Sequence, residues 1–178
     1  MLSLGTFADL LDLPYNPDTG KIDIQILRNL LPNAPESVLL QLFHEQGRNP
    51  DFQNQYKHLK LHDIYWSEVQ LKATEIITCT VLPSCKRWFD EVGERTAEFP
   101  AKGWRCIDER KDVRTHWQKF ETWLIPPVML SSDIFSLGSA LHLVEGHTRI
   151  GLLSGLVRNN VLQSASVHTV MLGTAKAK

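Results

Sequence analysis

The stretch LHLVEGHTRIGLLSGLV, residues 141–157, changes character at its middle. Leu141 to Glu145 is mostly apolar and short, with the length and texture of a β-strand. From Arg149 onward the apolar residues recur at helical spacing, which predicts a helix from Arg149 to about Val161. Between the two lie Gly146, His147 and Thr148. A helix start carries unpaired amides and the positive end of the helix dipole, so it attracts phosphate or carboxylate. Glycine at 146 would let a ligand approach the backbone with no β-carbon in the way. Thr148 can cap the helix or donate to an oxygen, and Arg149 offers a planar fork that matches phosphate. Glu145 is the candidate catalytic group, able to hold magnesium or accept a proton. The same residues also suit a purely structural turn. In that reading Thr148 is the cap, Gly146 bends the chain and Arg149 pairs with a nearby acid.

Around this junction the chain is β-leaning. The runs VML (128–130), ALHLVE (140–145) and SVHTVML (166–172) read as short strands, which makes residues 126–178 a β–β–α–β unit. Residues 1–125 read as largely helical. Thr6 caps a short helix to Asp12, and Asp23 caps a second that ends at Pro32. NAPESVLLQLFHEQG (33–47) is the clearest helix, with Val38, Leu39, Leu42 and Phe43 on one face and Gly47 closing it. A short segment follows from Asn49 and Pro50 through Tyr56. Residues 73–99 read as two helical pieces broken at Pro83, with Ser84 restarting the helix as a cap. RKDVRTHWQKFETW (110–123) reads as helical up to the stop at Ile125, Pro126 and Pro127. The expected fold is α+β, a helical region over 1–125 and a small sheet unit over 126–178 that can form one compact domain. The tail from Gly173 is expected to fray.

With 178 residues, 43% hydrophobic and 22% charged, the chain has the composition of a folded globular domain. Its net charge of −1 argues against a sequence-independent grip on nucleic acid. No apolar run approaches the roughly 18 residues of a membrane span, so no membrane association is expected. The start of the chain lacks the basic and apolar regions of a signal peptide. Cys79, Cys85 and Cys106 form an odd set without a C-x-x-C pair, which predicts reduced thiols, no zinc module and a cytoplasmic location.

The motif at 145–149, E-G-H-T-R, resembles the signature of the ParB/sulfiredoxin-like superfamily. Members carry D-G-H-H-R or related patterns at a strand–turn–helix. Gly146, His147 and Arg149 match in register, Glu145 replaces the leading acid, and the resemblance covers about Pro126 to Gly173. It implies a grip on nucleotide phosphates by Gly146, His147, Thr148 and Arg149. The expected ligand is a nucleoside di- or triphosphate with magnesium, and NTPase or phosphotransferase activity is left open. The chain also departs from the family's patterns. His147 stands where the reductase members have their cysteine, which excludes that chemistry. The second arginine of the partition proteins is missing, and Thr148 replaces the second histidine of the kinase-like pattern. An upstream base is not assignable from sequence; Asp133 and Glu121 are candidates by position alone.

Other polar residues give weaker signals. His58 and His62 stand four apart, a spacing that would suit a metal on one helix face, but no third ligand follows. His142 and His168 fall in strands, where a neutral, hydrogen-bonded role is the commoner one. The five tryptophans are expected in the core. Residues 102–114 hold five basic and three acidic side chains, which reads as a solvated face. A second function class stays open beside nucleotide binding. It is a non-enzymatic interaction protein, such as a regulator or an immunity protein that neutralises a bacterial toxin, because nothing in the N-terminal region looks catalytic.

Overall fold

Why the strands after Pro127 carry so few polar residues is explained by the sheet they form. The computed structural model describes residues 4–175. Four strands, β1 (Ile64–Lys72), β2 (Val128–Ser131), β3 (Leu141–Glu145) and β4 (Val167–Ala175), pair in the order β1-β4-β2-β3. β1 and β4 are antiparallel, as are β2 and β3, while β4 runs parallel to β2. Helices cover both faces. Val128, Leu130, Val144 and Met171 pack into a core with the N-terminal helices, and Met129, Leu143 and Val170 into a second core behind them. Strands buried on two faces read as continuous apolar runs.

The first core is built by α1 (Ile24–Leu30), α2 (Glu36–Val38) and α3 (Pro50–Tyr56). Asp23 caps α1 by accepting from the amides of Gln25 and Ile26. α2 runs into a π-helical stretch, Leu39–His44, that keeps Val38, Leu39, Leu42 and Phe43 buried as their spacing predicts. The wider π turn was not legible in the sequence; such turns often mark functional positions, and Gln41 on this one returns below.

The second core rests on α4 (Ala73–Ile76), α5 (Pro83–Glu94), α6 (Phe99–Lys102), α7 (Lys111–Phe120) and α8 (His147–Arg158). Three local expectations change here. Proline suits the first position of a helix, so α5 starts at Pro83 with Leu82 as its cap, and Ser84 is not the cap. The segment before it forms only the single turn of α4. Thr80 then bridges His142 in parallel and covers the outer edge of β3. Gly173 to Ala175, expected to fray, close β4 against Ile64 to Trp66; Lys176 to Lys178 lie outside the described residues.

The mixed α+β class holds, and a strand, a turn and a helix follow one another over 141–157 in the expected order, the helix running from His147 to Arg158. β3 ends at Glu145, and β4 joins the same sheet. One strand of the sheet, β1, lies in the region whose pattern predicts helices. β1 comes from the N-terminal 125 residues, so the sheet draws on both sides of the boundary at 125/126.

Candidate functional site

α8 begins two residues earlier than its apolar spacing suggests, and Gly146 is the reason. At φ 109°, ψ 25° it is the cap position, in a conformation L side chains rarely adopt. Its carbonyl accepts from the Ile150 amide at 3.1 Å and opens the helix. Thr148 is therefore not the cap; its hydroxyl accepts from the Trp88 indole N–H at 3.2 Å. The place a ligand was expected to use above Gly146 is filled by protein. A β-carbon there would lie 2.5 Å from Cβ of Pro127 and 3.1 Å from the Arg149 guanidinium.

Arg149 reaches back rather than outward. One terminal nitrogen donates to the carbonyl of Ile125 at 2.7 Å and to that of Pro126 at 3.3 Å. The other donates to Oε1 of Gln41 at 2.7 Å. Gln41 in turn donates to the Pro126 carbonyl at 3.1 Å. The Glu145 carboxylate lies 3.9 Å from the guanidinium, a charge contact rather than a hydrogen bond. The fork therefore ties α8, the π stretch and the Pro126 turn together, and none of these bonds uses Nε.

A cleft of about 760 Å³ opens at this junction. Glu145, Gly146, His147, Thr148 and Arg149 all line it, so the five residues singled out by sequence converge in space. Trp88, Trp117, Trp123, Leu124 and Ile125 supply apolar walls, and Cys85 and Arg110 reach it too. Its charge is uneven, with two arginines, Arg110 and Arg149, against four carboxylates, Glu45, Asp108, Asp112 and Glu145. Arg110 is committed to Asp108 through two hydrogen bonds of 3.0 and 2.8 Å.

His147 is the unusual member. It is 9% exposed, and its Nε2 is buried with no hydrogen-bond partner. Burial, with the positive charge of Arg149 adding, pushes its imidazole down to about 4, so it is neutral at pH 7. Burial pushes the Glu145 carboxyl up, while Arg149 and the Gly146 amide draw it partly back. A carboxyl so placed suits proton acceptance better than an ordinary one.

The remaining candidates are not at this site. Asp133 accepts from Ser131 and from the Ala175 amide, and Glu121 ends α7; neither lines the cleft. His58 follows the end of α3 and His62 sits in a separate turn, both exposed, so they share no helix face. Among the described residues no group of three His, Cys, Asp or Glu side chains could hold a metal ion by itself.

His142 and His168 are buried and hydrogen-bonded. His142 lies between the Tyr56 hydroxyl at 2.6 Å and the Thr80 hydroxyl at 2.9 Å. His168 lies between Ser166 at 2.8 Å and Thr122 at 3.0 Å. Sequence reasoning missed Gln41 and Trp88 as members of the site. No local signal marks either one, because both arrive from elements far away in the chain. The described residues contain no helix long and apolar enough to cross a membrane. Compared with known proteins the chain finds no match, whether to a family model, to a curated protein or to a solved structure.

Proposed function

We propose that the cleft at the start of α8 binds the phosphates of a nucleotide carried with magnesium. The observation that carries this reading is the unpartnered Nε2 of His147, at the first residue of a twelve-residue helix that lines the cleft. A buried polar atom left unpaired costs about 1–3 kcal/mol, a cost removed when a ligand supplies the partner. The positive end of the α8 dipole and the apolar walls suit a phosphate and a base respectively, and about 760 Å³ falls within the range of small-molecule sites. Four carboxylates against two arginines disfavour a bare anion and suit one brought in with a cation. Magnesium is commonly held by one or two carboxylates plus phosphate oxygens. Glu145 would either hold it or, where the ligand is turned over, accept a proton.

Thermal unfolding with ATP, ADP, CTP and GTP, each with and without magnesium, tests the reading. A nucleotide at about 100 times its dissociation constant raises stability by about 2.7 kcal/mol. The gain is expected to need magnesium and to disappear in His147→Phe. If no nucleotide stabilises the wild type, the site reading fails, and the non-enzymatic interaction protein takes its place.

A further inference from the structure

Phe120, Leu124 and Ile125 are exposed by 54%, 49% and 49%, yet the backbone that carries them is firmly held. α7 is capped by Glu121, whose φ of 55° turns the chain sharply and whose amide donates to the Trp117 carbonyl at 2.8 Å. Trp123 points inward, 4% exposed, and donates its indole N–H to the Thr169 carbonyl at 2.7 Å. Beyond it, Arg149 holds the carbonyls of Ile125 and Pro126. The exposed apolar side chains are thus presented on a fixed frame, which lowers the ordering cost of an association.

Leu124 walls a shallow groove of about 680 Å³ along the outer side of α7. The groove is both apolar and basic. Phe120 packs against His116 at 4.7 Å between ring centres, with the Lys119 ammonium 4.9 Å from the Phe120 ring. Lys111 and Lys119 both line it, against the single carboxylate of Asp112. Neither lysine has an ion-pair partner among the described residues. Eight residues of helix separate them, about 12 Å at 1.5 Å per residue. An occupant must therefore cover Phe120 and Leu124 with apolar groups and offer negative charge at two points about two helical turns apart.

We infer that this groove docks an acidic, amphipathic helical segment of a partner protein. Such a segment has apolar residues at i, i+3 or i+4 and i+7 and carboxylates along its flank. The inference is independent of the cleft's ligand and goes beyond it.

Fluorescence anisotropy with two labelled peptides of about 14 residues tests it. One carries leucine on a helical stripe and glutamate elsewhere, and the other has lysine for every glutamate. The acidic peptide is expected to bind at least about tenfold more tightly than the basic one at low salt. Phe120→Ala is expected to weaken it by about five- to tenfold, and Lys119→Glu to erase the preference between the peptides. Both side chains are exposed, and an unchanged thermal melt confirms that each variant keeps its fold. Equal binding of the two peptides, or acidic-peptide binding that survives both substitutions, overturns the proposal. So does self-association in sedimentation that is lost in Leu124→Ser, which would assign the groove to a second copy of this chain.

Discussion

Arg149 and Gly146 are packed so closely that a β-carbon at 146 would lie 3.1 Å from the guanidinium nitrogens Nε and Nη2. The glycine gives the arginine room to fold back over the helix start, and the arginine fixes the turn at Pro126. Gly146→Ala therefore meets two obstacles. Its φ of 109° strains any L side chain, and the new methyl collides with Pro127 at 2.5 Å. Strain and overpacking of this kind cost about 1–3 kcal/mol each. Urea denaturation of Gly146→Ala is expected to show a loss of about 2–6 kcal/mol, and a loss under about 0.5 kcal/mol would contradict the packing described.

Arg149→Ala removes the donors that satisfy two carbonyls and Gln41. The expected cost is about 1.5–3 kcal/mol, the range for hydrogen bonds to a charged group. The loss should appear in ligand-free buffer as a lower melting temperature. Arg149→Lys keeps the charge but cannot serve three acceptors with one fork, so it is expected to recover only part of the loss. An Arg149→Ala variant as stable as the wild type would mean that the guanidinium faces the cleft instead.

The junction at 141–149 was legible in the sequence because its determinants are local: a short apolar strand, a glycine that permits positive φ and a periodic helix. β1 was not, for a reason visible in its burial. Ile64 and Trp66 point into the first core, whereas Val69 and Leu71 pack against the second, on the opposite face of the strand. An alternation that changes face halfway along leaves no period-two pattern to read. The role of Arg149 was hidden for a different reason. Its partners, Gln41 and the carbonyls of Ile125 and Pro126, are distant in sequence, and carbonyl acceptors leave no side-chain signature at all.

Gly155 offers a test of how α5 and α8 are joined. A β-carbon at 155 would fall inside the van der Waals contact of the Gly93 carbonyl oxygen and the Thr96 hydroxyl. The Gly93 carbonyl is backbone and cannot rotate away, and the Thr96 hydroxyl already donates to it at 2.7 Å and accepts from Asn159 at 2.8 Å. Gly155→Ala must push the two helices apart. Overpacking at such a site costs about 1–3 kcal/mol, more than the fraction of a kcal/mol that alanine adds in helix propensity. A stabilised Gly155→Ala protein in thermal melts would show that the helices are not in contact there.

The three buried histidines set how the fold responds to acid. His142, His147 and His168 are each pushed down to about 4 from the ordinary 6.5, in every case chiefly by burial. Each binds its proton more readily in the unfolded chain, so the stability linked to its neutral form is present above pH 6.5 and is lost as pH falls toward 4. The slope is about 1.4 kcal/mol per pH unit for each histidine that titrates only when unfolded. Glu145 acts the other way. Its carboxyl is raised in the folded protein, so the fold takes up that proton first and offsets part of the loss. The lowered carboxyls of Asp9, Asp108 and Asp133 add to acid sensitivity only below their ordinary value of 3.8, a separate window. Urea midpoints measured from about pH 7 to pH 5 are therefore expected to fall with a linkage of between one and three protons. His168→Gln, which can still bond Ser166 or Thr122, should make that fall shallower. A flat profile over this interval would show that the imidazoles are already protonated in the fold, or exposed to water.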